Sequence, residues 1–244
     1  MKKNILCLCL VMAGACTLSS IKAQEVKQPR VITPGNIDTR SAPSDAIVLF
    51  DGTDLSAWQN SRGEAAGWTI NNDGTLTVNK AAGDIITREN FENFQLHIEW
   101  CVPKGIEGTE QSRGNSGIFL QGQYEIQVLD SYQNDTYPYG SAASVYNQQP
   151  PLVNAMRPNG EWNVYDIIYT APVFNEDGLY TRKPVVTVFH NGVLVQFNTE
   201  IVGRTTSVGF VREYAPHGAG PIILQSHGDP SAPISFRNIW LRKL

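Results

Sequence analysis

From residue 47 to residue 241 the chain consists of short apolar or alternating runs separated by Gly, Asn, Asp and Pro. The runs at 47–50, 67–70, 75–78, 94–102, 116–120, 124–129, 164–169, 184–190, 193–197, 221–225 and 234–241 are rich in β-branched and aromatic residues, and they read as strands bounded by turn formers. No stretch repeats its apolar positions at the three-to-four spacing of an amphipathic helix. Phe94, Leu96, Ile98 and Trp100 alternate with Gln95, His97, Glu99 and Cys101, which predicts a half-buried strand. The sequence Val185 to Val195 carries Asn191-Gly192 at its centre, the pair that supplies two positive φ angles to a type I′ hairpin. Many strands in one continuous stretch, with no linker and no internal repeat, predict one all-β domain in which two antiparallel sheets pack as a sandwich.

The flanks read differently. Lys2 and Lys3 precede an apolar run at 5–15 that is too short for a bilayer span, and Ala23 meets the small-residue rule for cleavage. Residues 1–23 are therefore expected to be a signal peptide, and the protein periplasmic or secreted. Ala13-Gly14-Ala15-Cys16 admits a second reading as a lipoprotein site, although the usual Leu three residues before the Cys is absent. Residues 24–43, with Pro29, Pro34 and Pro43, read as a flexible leader, and the domain occupies 44–244. Inside it, residues 130–160 form a segment rich in Tyr, Pro, Asn and Gln, too long for a simple hairpin connection, and such loops commonly cover a site.

Composition narrows the ligand. Loss of residues 1–23 removes three lysines and no acid, moving the formal net charge from −4 to −7. It also leaves Cys101 as the only thiol, so no internal disulfide forms. An acidic chain without a Lys/Arg cluster is a poor partner for nucleic acid or an anionic membrane, and beyond the lipid anchor of the second reading nothing ties it to a bilayer. A neutral small molecule or glycan suits it better. There is no Gly-x-Ser-x-Gly elbow, His-Glu-x-x-His pair, phosphate loop or dinucleotide fingerprint, which argues against a nucleotide cofactor.

The densest chemistry lies between Gly114 and Asp130. On a strand Glu125 and Gln127 share one face, away from Tyr124, Ile126 and Val128, and Asp130 joins them only if a bulge intervenes. The spacing Glu-x-Gln-x-x-Asp resembles the acidic strand of laminarinase-like glycoside hydrolases. A retaining glycosidase, however, needs two carboxyl groups about 5 Å apart, and Gln127 is not one. The bland alternative is that both are ordinary solvent-face residues. On residue types alone, binding and catalysis are balanced.

Four segments in order shift that balance: Leu49-Phe50-Asp51-Gly52-Thr53-Asp54-Leu55-Ser56-Ala57-Trp58, the 114–130 stretch, Glu161-Trp162-Asn163-Val164-Tyr165-Asp166-Ile167, and Gly220 to Gly228 followed by Ile234 to Trp240. Together they resemble the 3-keto-disaccharide hydrolase domain family of exported bacterial proteins over essentially residues 45–244. The resemblance implies a concanavalin-like jelly-roll sandwich acting on glycosides already oxidised to a ketone at carbon 3, with a separate oxidoreductase supplying the ketone. Such a ketone acidifies the carbon-2 proton, so a base removes it and the glycosidic oxygen leaves carbon 1 by β-elimination, after which water can add back.

By the matching of motif positions, the resemblance implies Glu125, His227 and Asp130 as catalytic candidates, with Glu125 first as base and His227 as proton carrier. It implies Asn115, Gln127, Gln225 and Gln121 as substrate contacts. Tyr146 on the long loop is a candidate sugar wall, and His217 a second titrating candidate. Arg88 is a candidate clamp, weighed against a surface ion pair. Many family members carry Arg at the position of Gln121 and Asp at that of Ser226, which bears on substrate identity and on how His227 is oriented. No compact ligand spacing favours a metal, and its identity is left open. Two rivals stand beside this reading: a carbohydrate-binding sandwich without catalysis, and a conventional glycoside hydrolase, which requires a second carboxylate within reach of Glu125.

Overall fold

The computed structural model describes residues 27–31, 42–206 and 215–244 of the chain. The signal peptide expected at 1–23 lies outside the described residues.

The domain is the expected sandwich. An eight-stranded antiparallel sheet runs Val193–Glu200, Val185–His190, Trp162–Thr170, Phe94–Cys101, Ser235–Lys243, Leu76–Thr77 and Thr69–Ile70, with Ile47–Phe50 also paired to Ser235–Lys243. A five-stranded antiparallel sheet runs Trp58–Gln59, Ile85–Thr87, Ile223–Leu224, Ser116–Leu120 and Tyr124–Val128. Between them lie Trp58, Trp100, Tyr165, Phe94, Phe236, Ile118, Leu120, Ile126 and Leu224, all fully buried. Fully burying one such side chain contributes about 1.5–3 kcal/mol, so this layer is the main source of stability. The Asn191-Gly192 turn forms as predicted, with φ of 55° and 78°.

Two expectations change. The strand Phe94–Cys101 is buried on both faces rather than half-buried, because its outer residues are roofed by a polar cluster. His97 stacks on Trp240 at 4.9 Å between ring centroids, its Nδ1 lies 2.7 Å from Asp166, and Asn238 and Arg237 bond Glu99 at 2.7 Å each. Burial alone would lower the His97 pKa, but Asp166 and Glu99 outweigh it and raise it. Trp240 is buried on this outer face, against His97. Asn238, at φ 46°, interrupts the register between Arg237 and Trp240 and so swaps the faces of the residues after it.

The leader expected at 24–43 is the second change. Arg30–Val31 pairs in parallel with Val153–Asn154, so part of it lies along the domain. The segment 130–160, expected to cover a site, is stitched to the edge strand Tyr124–Val128 through Gln127 N–H to Ser144 O, Ala143 N–H to Gln127 O and Tyr146 N–H to Glu125 O, at 2.9–3.1 Å. It walls one side of a cavity.

Candidate functional site

The outer face of the five-stranded sheet makes the floor of that cavity. Residues whose neighbours in sequence fill the core point the other way, as the alternation requires: Phe119 opposite Ile118 and Leu120, Glu125 and Gln127 opposite Tyr124, Ile126 and Val128. With Asn115, Tyr146, Thr205, Gln225 and His227 they line a hollow of about 140 Å³. A larger hollow of about 440 Å³ lies between 103–108 and 230–232. It is lined by loops whose charged side chains are Lys104 and Glu107, with no buried polar atom left unpaired, so the smaller cavity is where the chemistry converges.

Glu125 is only 4% exposed, which corrects the solvent-face alternative. Its carboxyl rests on Gly117: a Cβ added there would sit 2.4 Å from Glu125 Oε1. No described donor reaches that carboxyl. Burial first, and the charge of Asp84 second, push its pKa up to about 8. Asp84 does not line the cavity, and its Oδ1 accepts the Ser226 N–H at 2.7 Å.

The amides are oriented by a residue that sequence reasoning missed, Gln111. Its Oε1 accepts Gln127 Nε2 at 3.0 Å and Asn115 Nδ2 at 3.3 Å, while its backbone oxygen takes Asn115 Nδ2 at 2.9 Å. Gln127 Oε1 is thereby left buried without a donor, and Gln225 Oε1 is in the same state. Two acceptor oxygens of this kind favour a ligand that donates, as sugar hydroxyls do. Tyr146 closes the wall, its hydroxyl accepting from Tyr137 at 2.6 Å.

His227 stands at the rim, its side chain 37% exposed. Its partner, also missed, is Asp229, with Oδ2 3.2 Å from His227 Nδ1. Burial tends to raise the Asp229 pKa, but hydrogen bonds from Ser231, Lys80 and His227 hold it below the usual carboxylate range. The sequence signal was the Asp two residues after the His, in a turn.

Four expected site residues lie elsewhere. Asp130 is fully buried behind the sheet end, since the strand closes at Val128 with no bulge to rotate it back. Its Oδ2 lies 2.6 Å from Arg113 Nε, in a pose off the N–H direction, so the contact is an ion pair more than a hydrogen bond. Asn159 and the Tyr132 N–H complete its shell. Gln121, at φ 51° in the turn after Ser116–Leu120, sends its side chain to Tyr169 and the Phe91 carbonyl. His217 bonds the Tyr124 hydroxyl at 2.7 Å, outside the cavity. Arg88 bonds the Gln59 side chain and the Ser56 carbonyl on the surface, with no ion pair among the described residues. Among the described residues, no group of three or more His, Cys, Asp or Glu side chains is spaced to hold a metal ion.

The model of the 3-keto-alpha-glucoside-1,2-lyase-like domain family matches residues 45–242. The chain belongs to this family. A Bacteroides thetaiotaomicron protein named 3-keto-disaccharide hydrolase is 29% identical over 180 residues, covering 57% of this chain and 58% of that protein, so the chain spans less than two thirds of that relative's length. The crystal structure of a candidate glycosyl hydrolase from Parabacteroides distasonis is 57% identical, with a TM-score of 0.82 over 96% of this chain and 100% of that one. A second such P. distasonis structure, 22% identical at TM-score 0.58 over 82% of this chain and 94% of that one, shares the fold. The sandwich and the family assignment reached from the strand pattern and the four ordered segments thus hold.

Proposed function

We propose that this family member cleaves 3-keto-glycosides by elimination across carbons 1 and 2, with His227 as base and Glu125 as acid. The observation that carries the assignment is the Glu125 carboxyl: buried on Gly117, without a hydrogen-bond donor among the described residues, and with its pKa raised to about 8. A carboxyl in that state holds its proton at neutral pH, so it donates rather than accepts. This reverses the expected order, in which Glu125 was first choice as base.

In the proposed step the carbon-2 proton passes to His227 and its electron pair forms the enolate with the carbon-3 ketone. The enolate collapses to restore the ketone and form the C1–C2 double bond, the C1–O bond breaks, and Glu125 protonates the departing oxygen. Addition of water to the double bond would complete a net hydrolysis. Gln127 and Gln225 accept hydrogen bonds from ring hydroxyls, and Asn115 and Tyr146 bound the sugar. The paired-carboxylate mechanism has less support, because Glu125 is the only carboxylate that lines the cavity among the described residues.

The relative named 3-keto-disaccharide hydrolase supports a ketone-bearing substrate. Since the chain carries no nucleotide-binding motif, we take that ketone to be made by a separate oxidoreductase. On residues 1–23 we place the protein outside the cytoplasm, which mass determination of the exported form would test by a new N-terminus at residue 24. The decisive experiment incubates the purified protein with a 3-keto-glucoside and with its parent glucoside, with and without divalent metals. Release of the aglycone from the keto form alone is expected, and no turnover of that form refutes the proposal. Sugar binding without product would instead identify a binding module.

A further inference from the structure

Nδ1 of His227 sits between two opposed partners of the same residue. Asp229 Oδ2, an acceptor, is 3.2 Å away, and the Asp229 backbone N–H, a donor, is also 3.2 Å away. If the N–H wins, Nδ1 carries the lone pair and Nε2 carries the proton, so the nitrogen left for the cavity cannot take a proton from a ligand. If the carboxylate wins, Nδ1 is protonated and Nε2 is free as a base. The choice of tautomer is therefore a choice between an inert and an active histidine.

The surroundings of Asp229 decide it. Its side chain is 1% exposed, yet every acceptor site is filled: Oδ1 takes the Ser231 N–H at 3.0 Å and the Ser231 hydroxyl, and Oδ2 takes Lys80 Nζ at 3.1 Å and faces His227. Lys80 also grips the backbone oxygens of Asp229 and Ser231, at 2.6 and 2.9 Å, so the turn cannot rotate its carboxylate away. Ser231 Oγ in turn accepts the Gly114 N–H, which ties the turn to the segment bearing Asn115. A charge-assisted bond to a fixed carboxylate outcompetes one from a neutral amide.

We propose that Asp229, clamped by Lys80 and Ser231, is a positioning residue that selects the Nδ1–H tautomer of His227 and so presents an unprotonated Nε2 to the sugar. This rests on the reading of His227 as base, but its structural content is separable from that reading. When Nε2 takes the carbon-2 proton, the imidazolium keeps Nδ1–H on Asp229, and the new charge lies beside a carboxylate. The turn is thus the counterpart of an Asp–His pair, built within three consecutive residues.

The test uses the whole chain. Long-range ¹H–¹⁵N spectra of the neutral His227 ring should show Nδ1–H in the wild type and Nε2–H in Asp229→Ala, where the backbone N–H is the remaining neighbour of Nδ1. Lys80 keeps two backbone acceptors in that variant, and Asp229→Asn, of unchanged volume, stands in if it does not fold. An Nε2–H ring in the wild type overturns the proposal. With the keto-glucoside, kcat of Asp229→Ala should fall about 10²- to 10⁴-fold with KM within about twofold. Unchanged kcat, in a background where His227→Gln is inactive, also overturns it. A fully active His227→Gln overturns instead the base reading, and the spectra still decide the tautomer.

Discussion

The floor beneath Glu125 offers the sharpest test of the site. Gly117 has no unusual backbone angle, so Gly117→Ala introduces one methyl group and no conformational strain. That methyl would stand 2.4 Å from Glu125 Oε1, 3.0 Å from Cδ and 3.1 Å from Cγ. Ordinary non-bonded contact lies near 3.5 Å, so the carboxyl must retreat by about 1 Å. Misplacing a reacting group by that much costs about 100-fold in rate. Overpacking costs about 1–3 kcal/mol of stability, offset by about 0.5–1 kcal/mol for replacing Gly within a strand. The net of about 1 kcal/mol lowers the melting point of a domain this size by about 2–4 °C, leaving it folded. Measured together, kcat on the keto-glucoside should fall about 100-fold, towards the value of Glu125→Gln, while the melting curve moves only slightly. Wild-type kcat in Gly117→Ala would refute the reasoning, since it would mean that the position of the carboxyl does not matter.

Three further outcomes follow from the same geometry. Burial holds the Glu125 pKa up at about 8 in the fold against about 4.5 when unfolded, so its contribution is most favourable below about pH 4.5 and is lost as pH rises towards 8; unfolding free energies from urea titrations at pH 5 and pH 8 should differ less in Glu125→Gln than in the wild type, by about 2–4 kcal/mol. Arg113→Ala leaves the Asp130 charge buried without its cation and should cost about 3–5 kcal/mol in denaturant unfolding, with the kcat of the folded fraction unchanged because Asp130 lies outside the cavity. Gln225→Leu removes an acceptor that the sugar would satisfy and should lower kcat/KM about 10-fold, a loss read from initial rates at limiting substrate.

What could be read from the residues was periodicity. A two-residue repeat fixes which side chains share a face, so the floor pair Glu125 and Gln127, and the core opposite them, were visible in the bare chain. The same rule had already placed Asp130 on the wrong parity, and the structure keeps it there. Gln121 was assigned by family position, yet it sits in a turn with positive φ, where alternation ceases to predict direction. The strands Trp58–Gln59 and Ile85–Thr87 are too short to leave a pattern, and are placed by pairing with each other and, for Ile85–Thr87, with the equally short Ile223–Leu224. Gln111 and Asp229 were missed because each acts through another side chain: Asp229 stands only two residues after His227, but the contact that fixes it, from Lys80 across the fold, leaves no spacing along the sequence.

The mechanism and the fold constrain one another through one property, the burial of the Glu125 carboxyl without a donor among the described residues. A glycosidase that uses two carboxylates needs one of them ionised beside the sugar, which requires hydrogen bonds or cations to hold its charge. Here the cavity buries the Glu125 carboxyl against Gly117, and that burial first and the charge of Asp84 second disfavour its ionised form. Asp229 receives the opposite treatment: Lys80 and Ser231 donate three hydrogen bonds to its two oxygens and His227 faces one of them, although it too is buried. The two carboxyls are thus driven apart in acidity, Glu125 on the cavity floor kept as a proton donor and Asp229, in the turn beyond Ile223–Leu224, as a fixed charge behind a histidine. Elimination at a ketone-activated carbon needs that division, because the base must be free while the acid is loaded in the same pH range. Changing either environment, by a donor near Glu125 or by loss of Lys80 near Asp229, should narrow the range of pH over which both states coexist, and the width of the kcat profile measures it.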